Sequence, residues 1–294
     1  MQLSWADYLV IGGYLAAITA FGSWFARFQN TTRDYFLTDR SVPWWAVCFT
    51  IVATETSTLT FIGIPAAAYA GNMTFLQLAM GYVIGRIIVS LLFIPAYFRG
   101  DLFTSYELLQ RRFGTRVKTL SAGIFLITRS LADGVRLFAT ALVIAVVTDI
   151  PVPWVVIVLG TAMIVYTVRG GVSAVIWTDV VQMFVYIAGA AAVASSLITR
   201  IAGGWAAVVD AGRAAGRFVF LDLSLDWSRP YTLWAGIFGG IALTLATHGT
   251  DQYLVQRLLS ARSAREAARG LVLSGFIVFL QFIVFLLIGV MLYV

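Results

Sequence analysis

The stretch ATETSTLTFIGIP, residues 53–65, places a row of hydroxyl and carboxyl side chains inside a long apolar segment. Hydroxyl side chains compete for the backbone hydrogen bonds of a helix, and Gly63 and Pro65 weaken the helix further. In a bilayer, non-helical backbone is tolerated only where it is buried in protein or lines a wet cavity. The stretch therefore predicts a membrane helix that is broken near its middle.

Glu55 decides between two interpretations of this break. A kinked helix whose hydroxyl groups bond back to its own carbonyls would account for the Ser and Thr residues alone. A carboxylate at the centre of a bilayer, however, costs roughly 2.5–3.5 kcal/mol. Because of that cost, Glu55 favours a binding site over a purely structural kink.

The composition is that of a polytopic membrane protein. Of the 294 residues, 60% are hydrophobic and 12% are charged, and the mean hydropathy is +0.89. Soluble proteins carry roughly 25% charged residues. The single cysteine, Cys48, excludes an internal disulfide and a cysteine-based metal site. The sequence has no phosphate loop, nucleophile elbow or haem-ligand pair, so we do not expect an enzyme.

Eight apolar segments are long enough, or nearly so, to cross a hydrocarbon core of about 30 Å. They predict an all-α fold with eight transmembrane helices. The fifth is short, and polar residues between 244 and 251 interrupt the seventh. The first is too long for a signal peptide and lacks a small-residue cleavage site, so we interpret it as a mature helix. The segments are 5–28, 44–69, 75–98, 120–147, 154–168, 172–198, 233–254 and 268–294.

The distribution of basic residues predicts the orientation. Thirteen of the 20 fall in one set of alternating loops, and four fall in the other set, all between residues 200 and 229. Positive loops stay inside, so we expect both the N-terminus and residue 294 to be extracytoplasmic. The basic inner surface, which includes an amphipathic piece in the loop 99–118, indicates contact with lipid headgroups rather than nucleic acid. The outer loop, with Phe218, Phe220 and Trp227, predicts a short interfacial helix or a lid.

Charged residues inside the apolar segments are the other candidate site residues. Arg129, Asp133 and Arg136 share one helical face. They form either a self-satisfied ion pair or, because one acid cannot neutralise two arginines, a positive site suited to a carboxylate. Arg86 lies nearer the predicted inner end of its segment and either snorkels there or contributes to the site directly.

Two further titratable residues stand in apolar surroundings. Asp179 has no obvious partner on its own helix or in the inner loop, so we expect it to bind a cation or a proton. His248, the only histidine, is either a hydrogen-bonded core residue or part of the site. Thr244 and Thr247 stand beside it on the interrupted seventh segment.

Three stretches together resemble the sodium:solute symporter family. They are ATETSTLTF (53–61), GGVSAVIWTDVVQ (170–182) and DQYLVQRLLSARS (251–263), and the last two are specific to the family. The resemblance extends over essentially the whole chain, including the linker RDYFLTDRSVPWW. It implies an inverted-repeat, LeuT-type helical fold.

By this resemblance the chain divides into four parts. Residues 1–43 form a peripheral first helix and linker, and 44–198 form the first five-helix repeat. Residues 199–232 form an extracytoplasmic loop, and 233–294 form the first two helices of the second repeat. The resemblance implies five helices in that repeat, so we expect an incomplete second repeat and a truncated or split chain.

The resemblance also implies site residues. Ala53 and Thr56 would offer backbone carbonyls to Na⁺, Glu55 would stand where related proline carriers have an acid implicated in sodium binding, and Asp179 would lie on the inner sodium path. Ser57 and Thr60 would contact the solute. Arg136, or Arg129 one to two turns earlier, would match an arginine of the family's carboxylate carriers.

Departures from the family's bacterial sugar carriers argue against a hexose. Several polar sugar partners of those carriers are replaced here, and a site built for hydroxyl groups loses its discrimination when its polar groups are lost. The replacing residues are Thr60, Ala79, Thr244, Thr247 and Val278.

The resemblance therefore implies a sodium-coupled symporter that imports a small organic solute across a plasma membrane, the inner membrane in a bacterium. We expect a carboxylate, amino-acid-like or sialic-acid-like solute. The expected partners are the solute, Na⁺ and membrane lipids. The alternative is a symporter-like sensor module or a non-transporting half, and proton coupling through Glu55 and Asp179 is a third possibility.

Overall fold

The computed structural model describes residues 3–99, 102, 104–226 and 228–294. Most of the described residues are helical and none forms a strand, which confirms the all-α class. Trp227 of the outer loop lies outside the described residues. The α-helices are α1 Trp5–Trp24, α2 Thr32–Leu37, α3 Trp44–Glu55, α4 Thr58–Ala70, α5 Leu76–Phe98, α6 Ser105–Phe113, α7 Thr115–Thr148, α8 Val152–Arg200, α9 Gly204–Ala214, α10 Leu233–Thr244, α11 Gln252–Leu259 and α12 Ala264–Tyr293.

The predicted break in the second segment is confirmed. Helix α3 ends at Glu55, and α4 begins at Thr58 at an angle of 66° to α3. Between them Thr56 has a non-helical ψ of 83°, and Ser57 is the N-cap of α4. The Ser57 hydroxyl accepts a hydrogen bond from the Thr60 amide, so it satisfies one of the free amide groups at the start of α4.

The seventh segment is also interrupted as predicted. A π-helical turn, Leu245–Thr250, follows α10, and Asp251 is extended before α11 begins. π-Helical turns leave the regular hydrogen-bond ladder and frequently mark functional sites. Asp251 caps α11 by accepting a hydrogen bond from the Tyr253 amide at 2.8 Å.

Helix α8 contains the predicted fifth and sixth segments in one stretch of 49 residues. The stretch is interrupted at Gly171, whose φ of +58° is non-helical. A Cβ at this position would lie 2.7 Å from the Tyr35 carbonyl oxygen of the linker. Both the left-handed backbone and the close approach therefore require glycine here.

The long apolar helices give fewer candidate spans than the eight predicted. Five helices are long and apolar enough to cross a membrane, or six if the α3–α4 pair is one span. The predicted eight is not confirmed, because α8 counts once and the seventh segment is divided into short pieces. The described part of the outer loop contains the short helix α9, as predicted for residues 199–232.

The core forms around α12, which packs against α3, α4 and α5. Helix α5 also packs closely against α10, and both helices contribute glycines to the contact. A Cβ at Gly81 would lie 2.6 Å from the Gly236 carbonyl oxygen, and one at Gly240 would lie 2.5 Å from that of Leu78. Small residues at such contacts let helix backbones approach closely where the hydrophobic effect supplies no force.

Gly240 and Gly239 provide a matched test of this contact. A Cβ at Gly239 would meet no atom within 4 Å. We expect Gly239→Ala to stabilise the protein by about 0.5–1 kcal/mol through helix propensity. Gly240→Ala should instead destabilise it by about 1–3 kcal/mol, because the two helices must move apart. Thermal unfolding of both variants in detergent is the measurement, and equal midpoints would contradict the close contact.

Candidate functional site

A cavity of about 260 Å³ lies where the break between α3 and α4 faces the π-helical turn. Charged and hydroxyl side chains line one part of it, and aromatic and aliphatic side chains line the rest. Small-molecule sites in proteins commonly combine an apolar wall with a few polar groups in this way. The lining residues are Thr54, Glu55, Thr60, Ile64, Phe75, Tyr82, Arg129, Arg136, Leu243, Thr244, Thr247, Asp251, Leu254 and Phe282.

Glu55 meets a buried arginine at the edge of this cavity. Its Oε2 accepts a hydrogen bond from Arg86 Nη2. Arg86 is fully buried, and its Nη1 also donates to Ser274 Oγ at 2.8 Å. The interpretation of Arg86 as a snorkelling residue is therefore wrong, because its guanidinium points to the carboxylate of α3. The pair joins the broken helix to α5 and α12.

His248 is the second neighbour of Glu55. Its Nε2 lies 3.2 Å from Glu55 Oε1, and its Nδ1 lies 2.9 Å from Thr247 Oγ1. The ring is 1% exposed and does not line the cavity. His248 thus contacts two residues that line the cavity, Glu55 and Thr247, but is itself a hydrogen-bonded core residue.

The arginines of α7 lie at the cavity, but they are better compensated than the sequence suggested. Arg129 pairs with Asp133 at 2.9 Å and with Asp251 at 3.5 Å. The prediction of an uncompensated positive charge on this face is therefore wrong, because Asp251, the capping residue of α11, supplies a second carboxylate. Arg136 is the less engaged of the two arginines: its side chain is 44% exposed, and its guanidinium contacts Asp133 only at 3.9 Å.

Asp179 does have partners, contrary to the expectation from sequence. Its Oδ2 accepts hydrogen bonds from Thr50 Oγ1 at 2.6 Å and from Arg257 Nη2 at 3.1 Å. Thr54 Oγ1 lies 3.4 Å away. The sequence did not reveal these partners because Thr50 and Arg257 come from α3 and α11, far away in the chain. Asp179 lies beside the part of α3 that precedes the break, and it does not line the cavity.

The residues predicted to offer carbonyls to Na⁺ lie at the break itself. The Ala53 carbonyl accepts a hydrogen bond from the Thr56 amide at 3.2 Å. Across the described chain, the Thr56 carbonyl accepts no hydrogen bond. The Thr56 hydroxyl accepts one from Gln281 Nε2 at 2.9 Å and donates to the Val52 carbonyl at the same distance. A free carbonyl and a nearby hydroxyl are oxygen ligands of the kind that hard cations prefer.

The predicted solute-binding residues do not all reach the cavity. Thr60, Thr244 and Thr247 line it together with the two arginines of α7. Ser57 does not line it, since its hydroxyl serves as the cap of α4. The Thr60 hydroxyl donates to the Glu55 carbonyl at 3.0 Å, which further stabilises the break.

Sequence reasoning assigned no role to three polar residues in or beside the site. Asp251 was noted only among the residues that interrupt the seventh segment, Tyr253 was visible only as part of a family motif, and Gln281 was not singled out at all. Gln281 interrupts the apolar run of α12, and a polar side chain in such a run is a signal in its own right. Among the described residues, no cluster of His, Cys, Asp and Glu could hold a metal ion.

An all-α membrane protein with two broken helices around a small charged cavity has the architecture of a secondary transporter. The sequence profile of the sodium:solute symporter family matches residues 35–294. The chain belongs to this family, whose members are transporters and not enzymes.

Individual relatives extend the comparison. The chain is 33% identical to a sodium/glucose cotransporter of Vibrio parahaemolyticus over 94% of its length and 53% of the relative. It is 30% identical to a sodium/sialic acid symporter of Aliivibrio fischeri over 92% of its length and 53% of the relative. The chain thus spans about half the length of these curated relatives.

A solved structure also supports membership of this family. The chain is similar to a Na⁺-coupled sialic acid symporter in its substrate-bound, outward-open state, with a TM-score of 0.92 and 27% identity. The match covers 99% of this chain and 60% of the symporter. At this identity and score, the helices described above share the arrangement of a sodium-coupled transporter.

The pair of Glu55 and Arg86 gives a direct test of the electrostatics at the break. Glu55→Gln leaves a fully buried arginine without a carboxylate, so we expect a loss of about 3–5 kcal/mol in stability. Replacing both members, as Glu55→Gln with Arg86→Met, should restore most of this loss because no charge remains buried. Thermal or denaturant unfolding in detergent measures both variants. If the double variant is less stable than Glu55→Gln alone, Arg86 is not held in place by Glu55.

Proposed function

We propose that this chain contributes the solute cavity and one wall of the ion site of a sodium-coupled symporter for a small organic solute. The free carbonyl at the break of α3, next to a charged cavity, is the observation that carries this proposal. Family membership supports it, because relatives that share this fold are sodium cotransporters.

Na⁺ would bind at the break through main-chain oxygens. Thr56 and Ala53 would supply carbonyls, and Gln281 and Tyr186 hold the Thr56 hydroxyl beside them. Glu55 stands next to this position, but Arg86 already compensates its charge. We therefore assign the main coordination to the carbonyls and give Glu55 a supporting role. Asp179 would receive the ion on the inner side, in exchange for Arg257.

The solute would be a small carboxylate or zwitterion. Arg136 is partly exposed in the cavity and only loosely paired, so its planar fork is available for a bidentate carboxylate. The carboxylates around it balance the arginines, which favours a solute with few net charges. Aromatic and aliphatic side chains, including Phe75, Tyr82 and Phe282, would cover its apolar body.

A hexose is the second candidate, because one relative at 33% identity is a sodium/glucose cotransporter. The residues around the cavity argue against a hexose. Ala79 and Val278, two of the positions where sugar carriers have polar groups, are each 1% exposed and lie in the apolar core. These positions can offer no hydrogen bond to a sugar hydroxyl.

The two breaks suggest how the cavity could open alternately to the two sides of the membrane. Discontinuous helices at a midplane site allow the halves of a transporter to rock around the bound ligands. In this proposal the N-terminus is extracytoplasmic in a plasma membrane, the inner membrane in a bacterium, and lipids surround the outer face of α7. Sodium and solute would each bind better when the other is present.

Transport in proteoliposomes tests the proposal. The protein that carries these residues is reconstituted, and uptake of N-acetylneuraminate, pyruvate, proline and glucose is followed under an inward gradient of Na⁺ or of choline. We expect Na⁺-driven accumulation of at least one carboxylate or amino acid and none of glucose. Equal uptake of every solute in Na⁺ and choline would contradict sodium coupling, and uptake of glucose alone would contradict the solute class.

Arg136→Lys separates the solute assignment from a general loss of function. Lysine keeps the charge but loses the fork, so the KM for the carboxylate should rise about tenfold or more, as expected for the loss of roughly 1.4 kcal/mol. Arg213→Lys is the matched control, because Arg213 is exposed on α9 away from the cavity. An unchanged KM in Arg136→Lys would remove Arg136 from the site.

A further inference from the structure

Tyr253 lies between two arginines that belong to different parts of the site. The guanidinium carbon of Arg129 lies 3.8 Å from the centre of the Tyr253 ring, and that of Arg257 lies 4.0 Å from it. Two planar cations cannot share one face of a ring at these distances. The ring is therefore stacked on both faces, in the order Arg129, Tyr253, Arg257.

Each arginine is fixed at its far side by carboxylates. Arg129 lines the solute cavity and pairs with Asp133 and Asp251. Arg257 is 4% exposed and donates to Asp179 at 3.1 Å. The stack thus forms a continuous line of contacts from the cavity to Asp179, which lies beside the part of α3 that precedes the break.

The stacked ring, and not the hydroxyl group, is what Tyr253 contributes. In the part of the chain that the structure describes, the Tyr253 hydroxyl makes no hydrogen bond. The backbone is held at both ends, since the amide donates to Asp251 Oδ1 at 2.8 Å and the carbonyl accepts from Arg257 Nη1 at 2.7 Å. The ring is thereby kept at a fixed place in the first turn of α11.

We propose that Tyr253 is the positioning residue that couples the solute cavity to the Asp179 side of the ion path. The inference rests on the proposed sodium-coupled function and adds a residue that neither the cavity nor the ion site contains. When a solute carboxylate bound at Arg136 also draws the neighbouring Arg129 away, the ring no longer shares its electron-rich faces between two cations. Arg257 is then held more strongly by the ring and less strongly by Asp179, so Asp179 becomes available to a cation.

The proposal makes a directional claim about Arg129. Removing its guanidinium should mimic the effect of a bound carboxylate and favour cation binding. It should do so only while an aromatic ring at position 253 connects the two arginines. A through-space effect of the lost charge would instead persist without the ring, so a double-mutant cycle separates the two causes.

The probe is Na⁺ itself, measured as the Na⁺ concentration that gives half of the maximal thermal stabilisation, with choline as the control cation. Arg129→Gln is introduced into the wild type, Tyr253→Phe and Tyr253→Leu. We expect Arg129→Gln to lower the half-saturating Na⁺ concentration about fivefold in the wild type and in Tyr253→Phe, the lower end of usual coupling strengths. In Tyr253→Leu the shift should fall below about twofold. Tyr253→Met is a second non-aromatic background if the leucine variant does not fold.

Each outcome has one meaning. An equal shift in the aromatic and non-aromatic backgrounds, or no shift in the wild type, contradicts the coupling role of Tyr253 and leaves the proposed function intact. The absence of any Na⁺-specific stabilisation of the wild type over choline overturns the proposed function, and this inference with it. Loss of the shift in Tyr253→Phe would mean that the hydroxyl matters, which also contradicts the stacked ring as the connection.

Discussion

The constraint on which the site depends is the compensation of the Glu55 charge at the edge of the cavity. A carboxylate placed where a membrane helix breaks needs a partner, and Arg86 supplies one from α5 while remaining fully buried itself. Because Arg86 also bonds Ser274 of α12, a single ion pair connects three helices around the break. The break in α3 therefore has a fixed geometry, and the free carbonyl of Thr56 keeps a defined position relative to the cavity.

The same rule governs the rest of the site. Asp179 is compensated by Arg257, and Arg129 is compensated by Asp133 and Asp251. Ion pairs of this kind leave the cavity close to neutral, so a ligand that replaces one partner of a pair requires the displaced side chain to find another partner. Under the proposed function, Na⁺ would take the place of Arg257 at Asp179 while Arg257 keeps its contact with the Tyr253 ring, and a carboxylate would engage Arg136 or Arg129. Exchange of partners is a physical basis for binding two ligands that depend on each other.

The sequence predicted the local features well and the long-range partners poorly. The breaks at Thr56 and in the segment around His248 follow from hydroxyl, glycine and charged residues in apolar runs, so they are visible in one stretch of sequence. The family motifs around Asp179 and Tyr253 also predicted the arrangement that the comparisons support. The pairings of Asp179 with Arg257, of Glu55 with Arg86 and of Thr56 with Gln281 join residues at large separations in the chain, where periodicity carries no information. That is why Asp179 seemed unpaired and the face of Arg129 seemed positive.

Reciprocal binding of Na⁺ and solute tests the central claim most directly. Titration calorimetry on the purified protein gives the solute Kd in Na⁺ and in choline, and the Na⁺ Kd with and without solute, using the best solute from the uptake assay. We expect Na⁺ to tighten solute binding at least about fivefold, and solute to tighten Na⁺ binding by the same factor, because coupling free energies are reciprocal. A solute Kd that is equal in Na⁺ and choline would contradict a sodium-coupled site in this protein.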